Sequence, residues 1–274
     1  MRLFAQIEAT KYEILTEQAV EISIPLRFNG KQPNAYDVPA ATAKPYKDGN
    51  FVGDTRQGGG CNFEEYRLIP HCNGTHTEGV GHIALERISI DKIIPNGFIP
   101  STLITVEAQT ARTISDSCQP VPDPQDQIIT SQALLEALRT VDRLFLDALI
   151  IRTTPNDLSK VSRRYTASPP PYFSNEAMTE ISKLGVNHLL VDLPSVDRAI
   201  DGGLLSNHHI FWNIEQGSHE VKPNDFSKKT ITELIFVPDE IVDGKYFLSL
   251  SAPHFVADAA PSRPILFPAK LTDA

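Results

Sequence analysis

The chain has few cysteines, three in 274 residues, and fewer cationic than anionic side chains, 25 against 34, for a formal net charge of −9. An odd and small number of cysteines builds no disulfide framework, so a reducing, cytoplasmic setting is expected. The acidic balance, with no run of Lys or Arg, argues against a nucleic-acid backbone as partner, which needs a basic face. No apolar stretch approaches the roughly 18 residues of a membrane span. Glu8 interrupts the N-terminal apolar residues, which therefore do not read as a signal peptide. Internal repeats and low-complexity tails are missing as well.

What is present reads as a mixed α/β protein. The chain is long enough to bury a sizeable core. The strand–helix–strand order from 131 to 192 favours a single domain over 1–274 rather than two. Residues 20–26 alternate apolar and polar and predict a half-buried strand. Residues 29–62, rich in Gly, Pro, Asn and Asp, predict a long loop of the kind that walls a pocket, with Tyr36, Tyr46 and Phe51 as candidate stacking residues. A strand is expected over 64–70, a short helix from 83, and strands over 103–108 and 148–152. Ser131 and Ser174 are expected to cap helices whose apolar stripes are Leu134, Leu135, Leu138 and Val141 in the first and Ala177, Met178, Ile181 and Leu184 in the second. Gly185 stops the second helix.

Chemistry-bearing residues concentrate between 71 and 82. His71, Cys72, His76, Glu78 and His82 place three of the eight histidines, a thiol and a carboxylate in one short segment. These are the groups that bind zinc and other divalent metals. His76 and Glu78 are two apart, so on an extended segment they project to the same side. Gly79 and Gly81 let the backbone turn close to whatever is held there.

This segment resembles the His-x-Gly-Thr-His-x-Asp-x-Pro-x-His signature of the cyclase family of metal-dependent hydrolases, which includes bacterial kynurenine formamidase and isatin hydrolase. Later passages are similar in the same order: Leu184-Gly185-Val186, then Asp192-Leu193-Pro194-Ser195-Val196-Asp197, Asn207-His208-His209, Ile231-Thr232-Glu233-Leu234, and the closing strands around Tyr246 and Ile265. The resemblance implies an α/β fold of the swivelling β/β/α type, a mixed sheet flanked by helices. It also implies a homo-oligomer, a small-molecule substrate, and one or two divalent ions, zinc first and manganese second. Carried over, Cys72 or His71, with His76 and Glu78, would hold the first ion. Glu78, His208 and Glu233 would hold the second. His208 fits the pattern better than His209, and Asp239 and Glu240 are fallback carboxylates.

The departures matter. Glu78 stands where the family has Asp, and Val80 where it has Pro. Four residues before His76 the family has histidine, and this chain has Cys72, with His71 one place earlier. Either Cys72 is a thiolate ligand, which would favour zinc as the softer metal, or a one-residue bulge restores His71. The implied chemistry is hydrolysis of an amide, formamide, lactam or lactone of a small carbonyl compound, arylformamidase-like. A metal-activated water would attack, and His82 would shuttle the proton. The rival reading is a non-catalytic, metal-stabilised binding or scaffold protein. Asp192 and Asp197 are expected to fix the loop before His208, His188 to be structural, Arg263 to pair with an acidic group near the site, and His219 and His254 to lie on the surface.

Overall fold

The computed structural model describes residues 1–222 and 224–272. Its centre follows from two uninterrupted apolar runs, Leu149-Ile150-Ile151 and Leu189-Leu190-Val191. Strands that are apolar at every position must be covered on both faces, which is the environment of parallel strands. Eleven strands among the described residues form one mixed sheet. They are β1 (Leu3–Ile7), β2 (Thr10–Ile14), β3 (Val20–Glu21), β4 (His76–Glu78), β5 (Phe98–Glu107), β6 (Ala148–Thr154), β7 (His188–Val191), β8 (Thr230–Glu233), β9 (Gly244–Ser251), β10 (Ala259–Pro261) and β11 (Arg263–Leu271). The order is β1-β2-β11-β9-β5-β6-β7-β8-β4-β10, with β3 also on β11. Strands β5 to β8 are mutually parallel, and the pairings on either side of them are antiparallel.

Alternate residues of the central strands serve two cores. Leu149, Ile151, Leu189 and Val191 pack under helices α2 (Ser131–Leu138), α3 (Asn175–Lys183) and α4 (Ser206–Trp212), against Leu134, Met178, Ile181 and Trp212. Ala148, Ile150 and Leu190 face the other way, onto Leu103, Leu248, Leu266 and Ile22. This second core is enclosed because β3 pairs with β11 while Ser23 forms a bridge with Ile235, just beyond β8. The short segment around residues 20–23 thereby joins two distant strands and closes the sheet into a ring. Each fully buried Leu or Ile of these layers contributes about 1.5–3 kcal/mol.

Several local expectations need correction. Only Val20–Glu21 of the strand expected over 20–26 lies in a ladder, because the chain then crosses to β8. Thr130, not Ser131, caps α2; its hydroxyl accepts from the Ala133 amide at 3.2 Å. Leu135 is 45% exposed and off the stripe. Ser174 does cap α3, accepting from the Ala177 amide at 3.0 Å, and Gly185 ends it at φ 80°. Residues 64–67 form an exposed two-stranded hairpin with Thr42–Pro45, after which Pro70 starts a one-turn helix, α1 (Pro70–Asn73). No helix forms at 83–86, because the Leu85 amide donates to the His219 carbonyl at 2.9 Å instead of to a helical carbonyl. Among the described residues no helix is long and apolar enough to cross a membrane.

Candidate metal centre

Strand β4 is three residues long, and its pleat turns His76 and Glu78 to one face. It lies between β8 and β10, with Glu233 directly opposite His76 on one side and Ala259 opposite Glu78 on the other. The register brings Glu233 Oε2 to 3.4 Å from His76 Nε2. Thr77 projects to the other face and shares a 2.7 Å hydrogen bond with Thr232. Thr75, ahead of β4, donates its hydroxyl to the Leu234 carbonyl and accepts from the Ile24 amide at 2.8 Å. The Gly-Thr pair of the motif thus fastens β4 to the residue after Glu233.

Two turns supply the remaining imidazoles of the motif. The single turn of α1 swings His71 over β4, its ring 5.2 Å from that of His76 and stacked at 4.6 Å on that of His82. After β4 the chain makes a 3-10 turn, Val80–His82, closed by the His82 amide on the Gly79 carbonyl at 2.9 Å. Gly81 is required there: a Cβ would sit 2.0 Å from the Ile88 carbonyl oxygen. The turn places His82 Nδ1 at 3.8 Å from Glu78 Oε2 and 3.3 Å from Asp258 Oδ2.

The loop after β7 holds the other side. The Val196 amide donates to Glu233 Oε1 at 3.0 Å. Asp197 accepts from the Asn207 amide at 2.8 Å and the His208 amide at 3.3 Å at the start of α4. It also accepts from His208 Nδ1 at 2.5 Å, which fixes the ring so that Nε2 lies 2.8 Å from Glu78 Oε1. A carboxylate behind a histidine is the usual support of a metal-ligating imidazole. Left-handed backbone occurs at Leu205 (φ 46°) and Leu234 (φ 54°), flanking His208 and Glu233. Such conformations cost about 1–2 kcal/mol in a residue with a Cβ and persist where surrounding contacts enforce them.

Three overlapping groups of donor atoms result, each within 4.8 Å: His76, Glu78 and Glu233; Glu78, His82 and His208; and His71, His82 and Asp258. Glu78 belongs to two of them. Its burial opposes ionisation, yet the charges of His82, His208 and His71 outweigh that and hold its carboxyl well below the ordinary range. The imidazoles of His71 and His82, 3.2 and 3.3 Å away, do the same for Asp258. Burial works against a proton on His208, but bonding to Asp197 and Glu78 prevails and raises its pKa well above the ordinary value. His71 is raised too, with burial opposed by Asp258 and Glu78.

These residues fit a divalent cation. His76 is completely buried, and its Nε2 has no hydrogen-bond partner among the described residues. An orphaned buried nitrogen costs on the order of 1–3 kcal/mol, which coordination would remove. Three carboxylates converge on the same place, and a cation offsets their repulsion.

Of the residues expected from the sequence, His76, Glu78, His82, His208 and Glu233 are brought together; Glu233 lies between His76 and His208, 3.4 Å from Nε2 of the first and 3.9 Å from Nε2 of the second. Cys72 is not in the cluster. The turn of α1 points His71 there instead, and burial, followed by the charge of Glu233, pushes the Cys72 thiol up to about 11. His209 faces away, near His219. Asp239 bonds Asn156, and Arg263 pairs with Glu21 at the surface rather than near the site. Asp197 and Asp192 both act as fixing groups, Asp192 by binding Lys160 and Thr153. Asp258 has no local sequence signal; the pairing of β10 with β4 carries it in.

A cleft of about 270 Å³ lies beside the loop after β7, walled by Tyr36, Tyr165, Pro170, Tyr172, Pro194 and Ile200. Of the aromatic residues expected to wall a pocket, Tyr36 does so. Tyr46 and Phe51 instead cluster with Phe63, and all three are exposed.

Comparison with known proteins bears on this arrangement. No curated protein sequence matches the chain. Solved structures share its fold at low identity. A predicted metal-dependent hydrolase from Bacillus stearothermophilus is 15% identical, covering 91% of this chain and 98% of that one, with TM-score 0.58. Isatin hydrolase A from Labrenzia aggregata, bound to benzyl benzoate, is 11% identical over 91% and 93%, with TM-score 0.58. An isatin hydrolase bound to the product analogue thioisatinate is 11% identical over 92% and 93%, with TM-score 0.57. The Cyclase family profile matches residues 20–198. That span begins at the segment closing the ring, includes the β4 motif and ends at the loop that holds Glu233 and His208, and by it the chain belongs to the Cyclase family.

Proposed function

We propose that the chain is a metal-dependent hydrolase of a C–N or C–O bond in a small, flat carbonyl compound such as a lactam, formamide or lactone. The reading is carried by one observation, a buried cluster of imidazoles and carboxylates with an orphaned nitrogen at His76. The isatin hydrolases that share the fold are named for acting on isatin, a cyclic amide.

His76, Glu78, Glu233 and His208 would hold the cation, with His71 and Asp258 available to a second. A divalent cation there supplies charge that acidifies a water and polarises a carbonyl. The donors are nitrogen and oxygen only, so zinc and manganese both suit them, and the preference for zinc that a thiolate would bring does not apply. With Nδ1–H given to Asp258, His82 keeps an Nε2 lone pair. That atom takes the proton of the attacking water as its oxygen adds to the carbonyl carbon. It returns the proton to the leaving nitrogen or oxygen as the bond breaks. The three free thiols suit a reducing cytoplasm. The exposed Phe63 and Tyr66 suit self-association, which sedimentation would detect as a dimer or larger species.

The test is elemental analysis of protein purified without chelator, beside His76→Ala, followed by assays on isatin, N-formylaniline and an aryl lactone. One or two equivalents of zinc or manganese, lost in the variant, together with turnover of one of these compounds, is the expected result. No metal and no gain on adding it back would overturn the reading. His82→Ala should keep the ion held by His76 and lose about 10²–10⁴-fold in turnover; unchanged turnover would remove its shuttle role.

A further inference from the structure

The metal centre has an interior and a rim. The side chains of His76, Glu78 and Glu233 are 0, 1 and 4% exposed, and those of His71, His82 and Asp258 are 26, 25 and 29% exposed. The two ions that the family resemblance implies use neither His82 nor Asp258, yet the rim is as closely built as the interior. Asp258 Oδ2 lies 3.2 Å from His71 Nε2 and 3.3 Å from His82 Nδ1. Glu78 Oε2 lies 3.5 and 3.8 Å from the same two nitrogens. Donors around one tetrahedral zinc stand about 3.3 Å apart, since its bonds to nitrogen and oxygen are about 2.0–2.1 Å.

Hydrogen bonding does not account for the rim. His71 Nε2 is shut off from solvent and has no hydrogen-bond partner among the described residues, although a carboxylate oxygen lies beside it. The stacked rings, 4.6 Å and 27° apart, present Nε2 of His71 and Nδ1 of His82 to that one carboxylate. Asp258 is itself fastened. Its carbonyl accepts from the Gly79 amide at 3.2 Å, and the Ala257 carbonyl accepts from the Ile90 amide at 2.8 Å. Donors already held in place lose little freedom when they bind.

We propose that His71, His82 and Asp258, with Glu78 shared, form an outer cation site whose filling arrests the enzyme. The arrest rests on the hydrolase reading, in which His82 works from a lone pair on Nε2 while its Nδ1–H is given to Asp258. A neutral imidazole carries one N–H. With a cation on Nδ1, that hydrogen must sit on Nε2, and Nε2 can then donate a proton but not take one. The ring neither gains nor loses a proton overall. Two nitrogens and two carboxylate oxygens suit zinc. The outer ion is the weaker of the two, because its own donors are a quarter exposed and it shares Glu78 with an inner ion of the same sign. Scarce zinc therefore activates, and excess zinc inhibits.

The test titrates zinc into chelator-stripped protein by calorimetry and follows turnover of isatin, N-formylaniline or an aryl lactone at each ratio. The wild type should take two ions, the second about tenfold or more weakly. Turnover gained with the first ion should fall about 10²-fold as the second binds. Nitrogen NMR should show the His82 ring hydrogen passing from Nδ1 to Nε2 at the second step. Asp258→Asn and His71→Gln, folded by circular dichroism, should each keep the first ion and lose the second, and excess zinc should no longer lower the turnover they have. A single zinc step in the wild type, or a second step that survives in both variants, would show that these residues form no outer site. Two ions with undiminished turnover would overturn the arrest. If the wild type turns over none of the three compounds, the hydrolase reading and the arrest fall together, while the zinc count and the His82 signal still decide the outer site.

Discussion

His71 and Cys72 are adjacent in sequence and occupy different chemical surroundings. His71 stacks on His82 and faces Glu78 and Asp258, whereas the Cys72 thiol is buried with its pKa raised to about 11. Without metal, a thiol so raised is protonated at neutral pH and a poor nucleophile, and none of the three donor groups includes it. Cys72→Ala should therefore leave metal per chain unchanged and cost only the modest stability of a small buried side chain, about 1 kcal/mol. Loss of metal in that variant would return the thiolate to the site. Asp197→Asn should act in the opposite way. His208 keeps its place in the chain but loses the carboxylate that sets its ring and caps α4, and metal affinity should drop 10–100-fold in competition with a chromophoric chelator.

The elements show where sequence reading succeeds and where it stops. A period of two on an extended segment puts His76 and Glu78 on one face, and a serine before an apolar stripe marks the start of α3. Both signals are local, confined to a few residues. The choice between His71 and Cys72 is not local. Between 69 and 76 the backbone changes from extended to one helical turn and back, so counting residues back from His76 does not tell which side a residue faces. The α2 cap lies one residue earlier because Thr130 and Ser131 both have capping hydroxyls, and that of Ser131 donates instead to Asp116 at 3.1 Å. Asp258 could be found only from the pairing of β10 with β4. The 3-10 turn after β4 carries its own prediction. Gly81→Ala would drive a Cβ into the Ile88 carbonyl, which cannot yield as a side chain can. The expected loss is about 1–3 kcal/mol in denaturant titration, with a fall in turnover as His82 shifts; a silent substitution would show that the turn adapts.

At the scale of the whole molecule, the cluster makes stability depend on pH in opposite ways with and without metal. In the metal-free chain, His71 and His208 have raised pKa values. The stability they contribute is complete below the ordinary histidine value of 6.5 and is lost as pH rises through their folded values. Glu78 and Asp258 are depressed, so their share is present above the ordinary carboxylate range and is lost as pH falls through their folded values. A cation must displace the protons from these imidazoles, so its own stabilisation grows with pH. Melting curves from roughly pH 5 to 9 should show the metal-free protein weakening on the alkaline side while the loaded protein holds or gains. Parallel profiles would mean that the ion does not sit among these histidines.

The position of β4 between β8 and β10 also bears on how the molecule comes into being. Asp258 follows His82 by 176 residues, so β10 reaches β4 only after that much more chain has been made. An ion meeting the motif sooner would find imidazoles without Glu233 or Asp258, a half-built cage, and long-range closure of this kind is slow. A cation bound at the finished site would act as a seal on a ring already closed, and its supply would govern how long finished molecules last rather than how many form.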